Sequence, residues 1–215
     1  MKRREVIGLG VVGLGLSGCL GETVWHRRLT VTVNTPQGPV SGFSVQRETL
    51  AEGGGWWAPP EARGASRALS GEAVVVEVAP GRYLFALLEV GRRPDTFAVI
   101  FPGEAPLETV EKLTALRQSF VLDRSQYPML VTFTDITDPK TVKEVNPADL
   151  AASFGPGYAL QSITLEITED KVTNMISTLN IPWLQYENPI FIDWKKYPAD
   201  HPLRGVRKHA FQTRR

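Results

Sequence analysis

The stretch from Thr23 to Asn34 constrains the fold most, because apolar and polar side chains alternate along it. Val24, Leu29, Val31 and Val33 are its apolar members, with Arg28, Thr30 and Thr32 between some of them. A period of two sends successive side chains to opposite faces, so the stretch predicts a strand with one face on a core. Such a strand needs partners, and the residues that follow offer them. Thr35-Pro36-Gln37-Gly38-Pro39 is a turn, and Val40 to Leu50 reads as a second strand carrying Val40, Phe43 and Val45. Glu52 to Ala65, with three consecutive glycines, Trp56-Trp57 and Pro59-Pro60, reads as a loop. Glu72 to Val78 is a β-branched run, and Pro80-Gly81 turns it into a hairpin partner, Arg82 to Leu88.

The second half mixes element types. Thr96–Phe101 reads as a short strand. Pro106 to Phe120 reads as a helix, with Pro106 in the first turn, Glu108 and Glu111 early, Arg117 late, and Val110, Leu113, Leu116 and Phe120 on one stripe. Met129–Thr134 is a strand. Asn146 to Phe154 is a short helix with a cap, a proline at its first position and a Gly155-Pro156 stop. Ser162–Thr168 is a half-exposed strand. From Pro182 the chain turns aromatic (Trp183, Tyr186, Phe191, Trp194, Tyr197) and then basic. Its last dozen residues lack apolar periodicity, which predicts a mobile end.

The expected fold class is therefore α+β and β-dominant: a β-sandwich-like amino-terminal part, then strands with one or two helices in the carboxy-terminal half. The expected organisation is a leader at 1–18, a single compact β-rich domain at 19–194 that admits a sub-division near 102, and a basic mobile tail at 195–215.

The amino terminus has its own pattern. Lys2, Arg3 and Arg4 precede an apolar, glycine-rich stretch from Val6 to Leu16, then Ser17, Gly18 and Cys19. This is the layout of an export signal, and the apolar run is shorter than the ~20 residues that span a bilayer. Leu16-Ser17-Gly18-Cys19 resembles the lipobox of bacterial lipoproteins. The resemblance implies lipidation of Cys19 with a diacylglyceryl group and an acyl chain such as palmitate, cleavage before it, and a membrane anchor. Leu20, where inner-membrane lipoproteins of Gram-negative cells carry Asp, points by the same resemblance to the outer membrane, facing the periplasm. Lys2-Arg3-Arg4-Glu5-Val6-Ile7 also resembles the twin-arginine export signature, and an ordinary secretory signal fits the same residues. Gly8, Gly10 and Gly13 match the spacing of a dinucleotide-binding turn, but an extended segment follows where that motif requires a helix and a second strand.

Cys19 is the chain's one cysteine, so there is no internal disulfide and the fold rests on its core. The whole chain carries a net charge of +1; the first eighteen residues hold a net +2, leaving the mature body at −1. That balance disfavours a nucleic-acid partner.

Two further resemblances concern the body. Pro36-Gln37-Gly38-Pro39-Val40-Ser41-Gly42, with Pro80-Gly81-Arg82-Tyr83 opening a later strand, resembles the transthyretin-like repeats of exported bacterial proteins over roughly residues 29–90. It implies a small sandwich used for contacts or spacing. Leu130 to Val142, Asp149 to Gly157 and Ile163 to Thr168 resemble a family of uncharacterised bacterial lipoproteins, which implies no particular activity.

Candidate sites are few. Asp135 and Asp138 lie three apart in a loop, where carboxylates either cap the turn or contribute to a hydrolase or carbohydrate-active site; a cleft shared with Glu166 or a histidine would favour the enzyme, while Glu166 itself reads as part of a strand's solvent face. Trp56-Trp57 is a candidate contact patch for a partner, a glycan or a membrane interface. The basic end could meet anionic lipid or another envelope protein. His26, His201 and His209 show no metal-ligand spacing, the only thiol is assigned to lipid, and Ser125 and Ser153 lack a nucleophile-elbow context, so no metal, cofactor or catalytic residue is assigned. The expected function is a lipid-anchored envelope protein acting as a non-enzymatic structural or binding component.

Overall fold

The computed structural model describes residues 21–53, 64–88, 90, 94–193 and 197–213. Its strands form two antiparallel sheets, giving a β-dominant, sandwich-like α+β fold with few helices.

The first sheet is built on the two long strands read from the sequence, β1 (Glu22–Thr35) and β2 (Gly38–Gly53), paired along their whole length from Glu22↔Ala51 to Thr35↔Gly38. β3 (Gly64–Glu72) extends it beyond β2, and β9 (Ala159–Thr168) lies on the other side of β1. β6 (Ser119–Val121) and β10 (Gln212–Thr213) close the two edges, giving the order β10-β3-β2-β1-β9-β6. The second sheet has the order β4-β5-β7-β8, from β4 (Val74–Ala79), β5 (Arg82–Ala86), β7 (Leu130–Phe133) and β8 (Val142–Glu144). The expected hairpin is β4 with β5.

The alternation of β1 holds in the expected phase from Leu29 to Val33, and only Val24 departs from it. Trp25, Arg27, Leu29, Val31 and Val33 point inward, while Val24 is 40 % exposed on the other face. The run from Glu72 to Val78 is not one strand. Glu72 ends β3 in the first sheet, Val74 begins β4 in the second, and Ala73 makes the change, its N–H donating to the Phe211 carbonyl at 2.8 Å. The loop expected over Glu52 to Ala65 is strand at both of its ends, up to Gly53 in β2 and from Gly64 in β3. The β3 sequence, GASRALSGE, has no β-branched residue, and the ladder to β2 from Arg47↔Ser70 to Gly53↔Gly64 imposes the extended form.

Both faces of the second sheet carry buried side chains, which is why β4 and β5 read as mostly apolar runs. Val74, Val76, Val78, Leu84 and Ala86 face the first sheet and share a core with Leu29, Val31, Ile163 and Leu165. Phe85, Leu87 and Val131 face the other way, into a second core with Trp183, Phe191, Leu203, Val206 and Phe211. The carboxy-terminal chain supplies that third layer. Residues 197–213 are thus packed against the second sheet, not a mobile tail: α4 (Lys208–Phe211) places Ala210 and Phe211 fully out of solvent, and the Leu88 N–H donates to the Ala210 carbonyl.

Three other expectations change. Thr96–Phe101 holds a helix, α1 (Thr96–Ile100), not a strand. The Asp95 carboxylate accepts the Phe97 and Ala98 N–H groups and nucleates the turn, and Phe97 packs edge-on to Trp25 with ring centres 5.5 Å apart. α2 (Pro106–Ala115) starts at Pro106 as expected and buries Val110 and Leu113, but it ends before Phe120, which joins β6 opposite Leu165. α3 is shorter than foreseen, Ala151–Phe154, and Asn146 caps a separate turn by accepting the Ala148 N–H.

One glycine permits the closest approach of the two sheets. A Cβ at Gly42 would lie 1.9 Å from the Val75 carbonyl oxygen, so no larger residue lets β4 sit where it does against β2.

Candidate functional site

Cys19, the lipobox residues Leu16, Ser17 and Gly18, and the candidate patch Trp56 and Trp57 all lie outside the described residues. β1 starts at Glu22, three residues after Cys19, and is fixed at once. The Gly21 carbonyl accepts the Glu52 N–H at 3.1 Å, Glu22 pairs with Ala51 in the ladder, and its carboxylate lies 3.7 Å from Arg47.

The Asp135–Asp138 loop does turn chemistry. An Asp135 carboxylate oxygen accepts the Thr137 hydroxyl at 2.7 Å and the Thr137 N–H at 2.9 Å. These two bonds, the hydroxyl's foremost, hold Asp135 below the usual carboxylate range. Asp138 accepts the Lys140 N–H at 2.9 Å. The Thr141 hydroxyl donates to both the Asp135 and Asp138 carbonyls, at 2.7 and 2.8 Å, and the buried Trp183 indole pins the loop by donating to the Ile136 carbonyl at 2.8 Å. Glu166 does not join this loop; it lies 3.6 Å from Arg28, which also pairs with Asp170.

The histidines occupy separate settings. His26 Nδ1 lies 2.6 Å from the Asp170 carbonyl, His201 Nδ1 accepts the Leu203 N–H at 3.2 Å, and His209 lines a cavity described below. Among the described residues, no three His, Cys, Asp or Glu side chains group as metal ligands.

The most elaborate polar constellation was not legible in the sequence. Arg27 is 1 % exposed, at an inward position of β1 between Trp25 and Leu29. Its guanidinium donates to the Gln46 side-chain oxygen at 3.0 Å, the Pro94 carbonyl at 2.7 Å and the Thr96 hydroxyl at 3.1 Å. Glu48, also buried, lies 3.7 Å from it and accepts the Thr96 hydroxyl at 2.5 Å. Gln46 continues the network to the Ser44 hydroxyl and the Glu72 carbonyl, and the Glu72 carboxylate accepts the N–H groups of Met175 and Ile176. A buried charge is tolerable only when paired and hydrogen-bonded in this way. The arrangement ties the entry of α1 and the segment after β9 to the first sheet, and it is closed to solvent. Arg67 and Asp95 add a two-point ion pair at the same helix entry, at 2.6 and 2.8 Å. Burial pushes Asp95 upward, but the Arg67 pair and the two backbone N–H groups outweigh it and hold the acid below its ordinary range.

A cavity of about 760 Å³ lies beside the carboxy-terminal layer. Ile190, Phe191, Ile192 and Val206 form its apolar wall, with Lys208 and His209 at its side. Ile190 is 58 % exposed and Tyr186, whose carbonyl accepts the Lys208 ammonium at 2.8 Å, is 57 % exposed. A hollow of this size with an apolar wall and Glu187, Arg207 and Lys208 also in its lining can take an apolar segment or a small amphiphile.

Fold and site together define a two-sheet, β-dominant α+β protein with a buried ionic network and an open apolar hollow. The chain matches no protein-family model, no curated protein and no solved structure. Among the described residues no helix is long and apolar enough to cross a membrane.

Proposed function

We propose that the chain is exported, lipidated on Cys19 and held in the cell envelope as a non-enzymatic structural or binding component. The observation that carries this reading is the order of parts: a basic start, a short apolar run, Leu16-Ser17-Gly18-Cys19, then a paired strand three residues later. The chain's only thiol stands where the lipid would attach. Leu20 favours the outer membrane, on its periplasmic side, in a Gram-negative cell.

As a binding component, the protein would use the hollow lined by Ile190 and Phe191, with exposed Tyr186 beside it. Another envelope protein is the partner this surface favours, since an apolar wall suits a protein side chain better than a bare headgroup. A hydrolase working through Asp135 and Asp138 has less support, because both carboxylates are engaged in holding their own turn.

The test is Cys19→Ala expressed beside the parent chain. Parent protein is expected in the detergent-extracted membrane fraction, and the variant outside it. A variant that matures and partitions like the parent overturns the reading.

A further inference from the structure

We propose that the end of the first sheet formed by Gly21, Glu22, Glu52, Gly53 and Gly64 faces the bilayer, so that β1, β2 and β3 stand on the membrane. This rests on the lipid anchor at Cys19.

Glu22 is three residue steps from Cys19, and an extended chain spans at most ~3.5 Å per residue, so the start of β1 lies within about 10 Å of the lipidated residue. Slack on the protein side is small, because β1 is paired from its first residue and the Glu52 N–H holds the Gly21 carbonyl. The strands then set the direction. β2 ends at Gly53 and β3 begins at Gly64, paired with each other beside Glu22↔Ala51, so both belong to the anchored end. β9 reaches only to Thr168, opposite His26, leaving β1, β2 and β3 to project beyond it. The opposite end is the Thr35–Gly38 turn, thirteen residues along β1, about 43 Å away at ~3.3 Å per residue.

The described carboxy-terminal residues, Lys208 and His209 among them, are placed elsewhere. Gln212 pairs with Glu72, which lies about six residues up the sheet from Glu22, about 20 Å along the strands. That exceeds the ~8 Å over which surface charge acts at physiological salt. Lys208 and His209 therefore face the side, where the hollow stays open to a partner moving along the membrane.

Lipidation converts the Cys19 thiol to a thioether, so any introduced cysteine is the only free thiol. The experiment uses lipidated mature protein in phosphatidylcholine vesicles carrying a headgroup nitroxide, with a fluorophore at Glu52→Cys, Gln37→Cys or His209→Cys, three exposed positions. The Glu52 probe is expected to lose most of its emission, while the Gln37 and His209 probes keep theirs. Equal quenching at Glu52 and Gln37 overturns the orientation. Stronger quenching at His209 than at Glu52 also overturns it and means that the body lies on its basic side. Protein that fails to float with the vesicles at all overturns the anchor itself, a result separate from a wrong orientation.

Discussion

Replacing Phe211 with alanine removes a fully buried ring that stacks on Phe191 and meets Phe85, Phe133 and Trp183, with ring centres 5.3, 5.6, 5.8 and 5.0 Å away. Phenylalanine-to-alanine changes in a core cost about 3–5 kcal/mol, the transfer of the ring plus the cavity it leaves. The upper half of that range applies here, since four aromatic neighbours lose a contact at once. For a chain of this length each kcal/mol lowers the melting temperature by about 2–4 °C, so a loss of about 4–5 kcal/mol gives an expected fall of about 8–20 °C. Calorimetry or circular dichroism on the purified mature protein reads it. Pairing the change with Phe85→Ala adds a check: neighbours in one cluster are non-additive, with a coupling of about 0.5–1.5 kcal/mol. A loss below about 1 kcal/mol, with Phe85 and Phe211 additive, would refute the placement of residues 197–213 over the second sheet.

Gly42→Ala forces a methyl group into the Val75 carbonyl, so the sheets must part; a loss of about 1–3 kcal/mol or more is expected from urea unfolding. Arg27→Ala leaves the Glu48 carboxylate buried without its partner and should cost about 3–5 kcal/mol by the same assay. Asp95→Asn keeps a helix-capping side chain and removes only the charge facing Arg67. Because that ion pair is partly exposed, solvent screening holds the loss at neutral pH to about 1 kcal/mol or less. The folded protein holds the Asp95 acid below its ordinary range, so this contribution is complete above the unfolded carboxylate value of about 3.9 and disappears as pH falls through the folded one. Parent and Asp95→Asn stabilities should therefore converge in acid, and a gap that stays constant with pH would contradict the assignment.

Legibility in the sequence followed burial geometry. β1, β2, β4, β5 and β9 could be read because each is long or β-branched and bounded by turn residues. β3 could not, since its extended form comes from the ladder with β2 and not from its own residues. α1 was hidden by the β-favouring run Thr96-Phe97-Ala98-Val99-Ile100, although Asp95 ahead of it is a cap signal. In the carboxy-terminal layer Leu203, Val206, Ala210 and Phe211 follow the spacing of a one-sided surface, obscured by the arginines and lysines between them. The Arg27 network had no sequence signal at all, because a charged residue at an inward strand position reads as a solvent-facing one. The turn role of Asp135 and Asp138 was readable from the Asx pattern, while the hollow at Ile190 depends on packing between segments far apart in the chain.

The anchor at Cys19 is tested most directly by mass spectrometry of the amino-terminal peptide from detergent-extracted protein. The account predicts a chain beginning at Cys19 and carrying a diacylglyceryl group on its sulfur. A peptide that begins at Met1, or one that contains Cys19 with a free thiol, would contradict it.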